Sequence, residues 1–276
     1  MKYKTKQKIC EFWKHLFLWS VFFFTFMPLY LMLNISLKDN EQFARNPWFP
    51  EAPFHWVNYV VGWQHIGDKI FNTTFVAFTT VVLSLGVAVL GAFFFARYKM
   101  PGSKFLFAVF MVLMMYPGVA NMVPVFKLIT SLGLYNSHWA LILSGVAAGQ
   151  AMAIYVLRNF IEDIPKDLFD AVEIDGGRVW HQIWHIVIPM SMPIIGTLAI
   201  LKIIGSWNNF VGPLLYIRDA NRQMLSVALL YMDGEYTKQW GELMAGYTIA
   251  SLPLIVLFLF CMRLFVKGLT AGAVKG

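Results

Sequence analysis

Six stretches of the chain are apolar over about the 20 residues that a helix needs to cross the hydrocarbon core of a bilayer: residues 15–37, 73–98, 105–128, 137–158, 189–211 and 244–266. Polar and charged segments separate them, so the pattern predicts an all-α integral membrane protein with six transmembrane helices. Pro117 and Pro124 interrupt the third stretch, which predicts a kinked or broken helix whose freed carbonyls face a pore or another helix rather than lipid. The first stretch is too long for the apolar core of a cleaved signal peptide, and Asn34-Ile35-Ser36 is not a small-x-small cleavage site.

Composition agrees with that pattern. Apolar residues make up 58% of the 276 and charged residues only 13%, whereas a soluble domain carries about 25% charged residues. The solvent is therefore mostly lipid. A net charge of +7 would suggest nucleic acid on a soluble protein, but here the Lys and Arg fill short loops rather than one face, so no nucleic-acid partner is expected. Lys2, Lys4, Lys6, Lys8, Lys14, Arg97, Lys99, Lys104, Arg158, Lys166, Arg178, Arg263, Lys267 and Lys275 fall on one side of the six spans, and half as many, Lys38, Arg45, Lys69, Lys127, Arg218, Arg222 and Lys238, on the other. The positive-inside rule then puts both termini in the cytoplasm. Residues 1–14, 159–188 and 267–276 become cytoplasmic segments flanking and interrupting a permease domain at 15–266, and 38–72 and 212–243 become external loops. Their aromatics, among them Trp48, Phe49, Tyr231 and Trp240, are expected either to fold over the outer mouth or to sit in an interfacial aromatic belt. Cys10 and Cys261 lie near opposite chain ends and suggest neither a disulfide nor a metal site.

The fourth loop, 159–188, is too polar to span and too patterned to be a linker. Asp163 and Pro165 read as a helix start, with Asp163 as cap. Leu168, Phe169 and Val172 recur at helical spacing, and Gly176-Gly177 ends the helix. A second apolar periodicity (Val179, Trp180, Ile183, Trp184, Val187) runs up to Pro189. Glu162, Asp163, Asp167, Asp170, Glu173 and Asp175 make an acidic face that the anionic inner leaflet would repel. A protein partner offering Arg or Lys fits it better.

The segment Asp170-Ala171-Val172-Glu173-Ile174-Asp175-Gly176-Gly177, followed after eight residues by Ile186-Val187-Ile188-Pro189, resembles the cytoplasmic EAA loop of binding-protein-dependent ABC importer permeases. Asp170 stands where that family usually has Glu, and Val172 and Gly177 where it has Ala. The likeness extends to Phe95-Ala96-Arg97-Tyr98-Lys99-Met100-Pro101-Gly102, to Trp207-Asn208-Asn209-Phe210-Val211-Gly212-Pro213-Leu214 and to the tail from Lys267 to Gly276. Together these are similar to the second permease subunit of carbohydrate importers of the maltose type. The resemblance implies the type I ABC importer permease fold in a bacterial inner membrane. It implies a second permease subunit completing a heterodimer, a dimeric ABC ATPase that uses ATP and Mg, and an extracytoplasmic solute-binding protein. It also implies that Asp170, Ala171, Glu173, Asp175 and Gly176 form the coupling surface on the ATPase, with Lys275 and Gly276 reaching along the ATPase dimer. The chain has no Gly-x4-Gly-Lys-Ser/Thr sequence, so no catalytic residues and no bound cofactor are expected in it.

Three constellations remain. His181 and His185 stand four apart, a zinc-compatible spacing, but Gln182 occupies the place of a zincin's Glu, so no metal is expected. Gly145-Val146-Ala147-Ala148-Gly149 reads as a small-residue surface for close helix packing. Lys202 is thirteen residues past Pro189, roughly 20 Å along the fifth span at 1.5 Å per residue, too deep to snorkel easily. It is read either as facing a substrate with acidic groups, such as a uronic-acid oligosaccharide, or as paired with a carboxylate or carbonyls of the partner permease. Tyr116, Asn121, Gln150, Lys202, Trp207 and Asn208 form the expected substrate pathway, rings for sugar C–H faces and amides for hydroxyls. The rival functions are an ABC importer for glycerol phosphoesters or amino acids, and an ATP-independent secondary transporter; against the latter, no internal duplication or buried ionisable relay is evident.

Overall fold

A computed structural model describes residues 2–98, 101–115, 118–234 and 238–273, and among them there are helices and turns but no strand. The helices are α1 (Lys2–Ser36), α2 (Asn40–Arg45), α3 (Val57–Arg97), α4 (Ser103–Met114), α5 (Met122–Ser131), α6 (His138–Ala147), α7 (Gln150–Glu162), α8 (Lys166–Ile174), α9 (Val179–Gln182), α10 (Ile188–Trp207), α11 (Val211–Tyr216), α12 (Leu225–Asp233) and α13 (Trp240–Ala273). Helices built on α1, α3, α9–α10 and α13 are each long and apolar enough to cross a membrane, and α6 with α7 makes a further span bent by 47°. The third apolar stretch is shared between the short helices α4 and α5 with a 3₁₀ turn, Gly118–Asn121, between them. Its interruption was expected at Pro117, which lies outside the described residues, and at Pro124, which stands in the first turn of α5 and interrupts nothing there.

Several boundaries differ from the sequence expectation, each for a physical reason. Residues 57–72, expected as external loop, are the first turns of α3, whose 41 residues extend about 60 Å, twice the hydrocarbon thickness. Hydropathy registers only the part that lipid would cover. The expected loop 212–243 is largely helical, holding α11, a 3₁₀ turn (Ala220–Arg222) and α12. The second half of the loop 159–188 is no separate helix: α9 passes through a π-helical turn, Ile183–Val187, straight into α10. Pro189 follows directly on that π turn inside the continuous helix, where the widened turn accommodates a residue without an N–H. α13 runs on to Ala273, through most of the segment expected as a tail.

Chain contacts define two compact units, Met1–Gly67 with Leu229–Leu252, and Asp68–Ala228 with Pro253–Gly276. In the first, Lys38 is 1% exposed and its ammonium donates to the carbonyls of Asn46 and Phe49. Asn58 Nδ2 donates to the carbonyls of Ser36 and Lys38, both at 2.9 Å. A Cβ on Gly241 would lie 2.0 Å from the Lys38 carbonyl oxygen, so this crossing admits only glycine. Asn40 Oδ1 accepts from the Trp240 N–H at 3.0 Å, and Phe43 stacks on Trp240. Asp39 caps α2 in a capping box with Gln42.

In the second unit, one buried cluster joins α3 (Ala88, Val89, Ala92, Phe93), α7 (Ala153, Ile154, Leu157, Ile161), Phe169 of α8 and the π turn (Ile183, Ile186, Val187). A second cluster holds Val76, Ile129, Leu141, Ile142, Tyr216 and Met224. The loop after α11 is tied down by Asn136, whose Oδ1 accepts from the Arg218 and Asp219 N–H groups, and by Thr73, whose Oγ1 accepts from the Leu225 N–H.

Candidate coupling helix and translocation cavity

α8 has nine residues, below the roughly 12–15 at which an isolated helix becomes even marginally stable, so tertiary contacts must hold it. One of its side chains is buried: Phe169, 2% exposed. The Phe169 ring inserts beside Phe93 of α3 (centroids 6.4 Å apart), and the Arg97 guanidinium lies 3.6 Å over its face. Pro165 is the N-cap residue of α8, without a side-chain cap bond, whereas Asp163, expected as that cap, closes α7.

The helix ends in a Schellman turn. Gly176 takes φ +76°; its N–H donates to the Glu173 carbonyl at 3.0 Å and the Gly177 N–H to the Val172 carbonyl at 2.8 Å. A Cβ on Gly177 would lie 2.4 Å from Val172 Cγ1. The departures from the family pattern at positions 172 and 177 are therefore one change of shape: a larger residue on the helix and a smaller one in the turn. Beyond the turn, Gln182 Nε2 reaches back to donate to Glu173 Oε1 at 2.9 Å. Asp170, Ala171, Asp175 and Gly176 are exposed, and Ile174 is 86% exposed. α8 thus presents an acidic surface with an apolar tip on a base pinned by Phe169. Between it and the chain at 95–98 and 101–104 runs a cleft of about 1050 Å³ lined by Arg97, Lys104, Arg158 and Lys166 and by Glu162, Asp170 and Glu173. The anchoring role of Phe169 and the brace from Gln182 carry no signal in the sequence, whereas Ile174 and Arg97 lie within segments that resemble the family's motifs.

Within the spans of the same unit, α6 stops at Ala147 and α7 starts at Gln150. Gly149, at φ +73°, makes the break, in a segment whose small residues predict a packing surface alone. The packing part holds at Gly145, where a Cβ would meet Thr80 Cγ2 of α3 at 2.8 Å. A break leaves carbonyls that lipid cannot satisfy. Gln150 Nε2 donates to one of them, Val146 O, at 2.8 Å, and to Ser84 Oγ of α3 at 3.0 Å. Lys202 Nζ of α10 donates to the second, Ala148 O, at 2.9 Å, and also to Ser84 Oγ.

Lys202 lines a cavity of about 220 Å³ with Thr80, Gly145, Gly205, Ser206 and Asn209. Lys202 and Ser206, four residues apart, face it from α10, and Asn209 joins them from the turn beyond Trp207. Of the expected pathway residues, Gln150 and Lys202 meet at this break. Trp207 is buried at 7% exposure, Asn208 is exposed and bonds back to Ile204 O, and Asn121 is exposed at the end of the 3₁₀ turn before α5. Tyr116, Lys275 and Gly276 lie outside the described residues. Asn209, rather than Asn208, lines the cavity: the turn after Trp207 decides which amide points inward, and composition carries no signal of that. The His181 and His185 rings stack at 6.0 Å, and His181 Nδ1 accepts from the Arg178 N–H. Among the described residues no cluster of three metal-ligating side chains occurs.

Comparison with known proteins bears on the family and the fold. The melibiose/raffinose/stachyose import permease protein MelC of Bacillus subtilis is 30% identical over 255 residues, covering 91% of this chain and 92% of its own. The arabinooligosaccharides transport system permease protein AraQ of Halalkalibacterium halodurans is 33% identical over 263 residues, covering 92% and 94%. A solved chain of a bacterial ABC transporter involved in import of the acidic polysaccharide alginate superposes with a TM-score of 0.83 at 18% identity, covering 94% of this chain and 97% of that one; it establishes the fold as that of an ABC importer permease. Residues 88–271 match the model of one family, and the chain belongs to it: the binding-protein-dependent transport system inner membrane components.

Proposed function

We propose that this chain is one of two permease subunits of an ATP-driven importer for a sugar, oligosaccharide or sugar derivative. It forms half of the pore, receives solute from an extracytoplasmic binding protein and is driven through α8 by a dimeric ABC ATPase that hydrolyses ATP with Mg. Both termini lie in the cytoplasm of a bacterial inner membrane. The observation that carries this reading is α8 itself: an acidic, exposed helix with one buried anchor, joined through a Schellman turn to the helix that bears Lys202. Such a lever transmits rigid-body motion without melting. The sugar assignment is supported by the relatives, whose names specify raffinose-type sugars and arabinooligosaccharides.

Asp170, Ala171, Asp175 and Gly176 supply the contact surface for the ATPase, Glu173 braces the turn, and Lys275 and Gly276 extend along the ATPase dimer. Tyr116, Asn121, Gln150 and Lys202 belong to the solute pathway, with Asn209 in the place expected of Asn208. Purification in mild detergent should bring down an ATPase and a second permease. Charge reversal at Asp170 or Glu173 should abolish solute-coupled ATP hydrolysis while the chain still inserts. Full coupling in both variants would refute the lever, and isolation of the chain alone would refute the importer.

A further inference from the structure

We propose that the cavity beside Lys202 is a transit subsite for a carboxylate-bearing sugar, so that the solute class is acidic, of the uronide kind, rather than neutral. This deepens the importer reading and rests on it. The argument begins with what the broken span requires. Two carbonyls left free at the α6–α7 break are satisfied from the side, Val146 O by the neutral amide of Gln150 and Ala148 O by Lys202. Gln150 shows that an uncharged donor suffices for that task. A full positive charge at the second carbonyl is more than the break needs, and a charge deep in a span is costly.

Nothing in the described structure neutralises it. Both groups that accept from the Lys202 ammonium, Ser84 Oγ and Ala148 O, are neutral, no ion pair includes it, and no carboxylate lines the cavity. An ammonium has three N–H donors, and two are used. The third, with the uncompensated charge, is left for the cavity, where Ser206 stands one turn further along α10 and Asn209 just past its end. Ammonium for a carboxylate, with hydroxyl and amide for ring hydroxyls, is the donor set of an acidic sugar. The volume of about 220 Å³ falls below the roughly 300–1,000 Å³ of sites that engulf a whole ligand, so it admits one residue of a chain at a time. A carboxylate passing here exchanges its hydration for a charge-assisted hydrogen bond, while a neutral sugar leaves the ammonium unpaired.

The test uses the complete transporter, with its binding protein, partner permease and ATPase, in proteoliposomes. The probes are oligosaccharides of glucuronate, galacturonate and mannuronate and the same preparations after carboxyl reduction to neutral sugars. Uptake of at least one uronide should exceed that of its reduced counterpart. Lys202→Met should lower the acid-to-neutral uptake ratio about tenfold, the scale of one lost charged hydrogen bond, and Lys202→Arg should keep most of it. If wild-type transporter takes up reduced sugars and no uronide, the acidic subsite is wrong while the importer reading stands. If no sugar of either class is taken up, the importer reading itself fails. An unchanged ratio in Lys202→Met would assign the lysine to capping alone and overturn the proposal; should that variant fail to assemble, the wild-type comparison still decides.

Discussion

Replacing Phe169 by Ala should disconnect the lever from the spans without dismantling either. Phe169 is the one buried side chain of α8, and its loss from a packed core costs about 3–5 kcal/mol. The ring also carries the Arg97 guanidinium at 3.6 Å, a contact of about 0.5–2 kcal/mol. A nine-residue helix has no reserve of its own to offset this. At 1.4 kcal/mol per tenfold, about 3 kcal/mol moves the ratio of docked to undocked α8 by a hundredfold or more. The spans keep their own packing through Phe93, Leu157, Ile161 and Val187, so insertion should survive.

The assay is ATP hydrolysis by the reconstituted complex, with and without solute-loaded binding protein, alongside uptake. Phe169→Ala should retain unstimulated hydrolysis and lose most of the stimulation and of the uptake. Phe169→Leu, which keeps apolar volume but not the aromatic face, should fall between, and Arg97→Met should cost less than either. Full stimulation in Phe169→Ala would show that α8 is held by something other than its anchor and would refute the reasoning. Equal loss in Phe169→Leu and Phe169→Ala would show that the cation–π contact, not packing, carries the load.

Gly177→Ala should strain the Schellman turn, since the new methyl meets Val172 Cγ1 at 2.4 Å and the Val172 carbonyl oxygen at 2.8 Å. Overpacking of this kind costs about 1–3 kcal/mol, and Val172→Ala in the same chain should restore part of it, read as the stimulation ratio; no restoration would sink the shape-swap account. In the other unit, Gly241→Ala should separate the Lys38 carbonyl from Asn58 and lower the thermal midpoint in detergent, and an unchanged midpoint would contradict the packing described. Burial holds the Lys38 ammonium below the ordinary lysine pKa against an upward pull from Glu51. The opened form then binds more protons than the folded one from the lowered folded value up to the ordinary lysine value of about 10.4, so stability rises with pH across that window and stays at its lower level beneath it. Lys38→Met should remove that slope from the thermal midpoint; the same slope in both proteins would show that another group sets it.

What could be read from the sequence, and what could not, divides along a physical line. Lipid imposes a composition on whatever it touches, so every apolar stretch was visible. Gly176 and the acidic residues of α8 were legible because turn chemistry and charge are local. The length of α3 was not, because its first turns are polar enough to read as loop and are held by Asn58 and Tyr59 against the end of α1. The bend at Ala148 and Gly149 was hidden because small residues suit close packing and chain breaks equally. Only the crossing of three helices distinguishes them, when Ser84, Gln150 and Lys202 gather around the freed carbonyls. Phe169 was visible as an apolar position, but its role was not: an anchor is the one side chain fully enclosed, and that requires knowing that Val172 is only half-buried and the other side chains of α8 are exposed. What escaped the sequence is therefore what depends on the surroundings of a residue: that Phe169 is the side chain of α8 the core encloses, and that Asn209 rather than Asn208 faces the cavity beside Lys202.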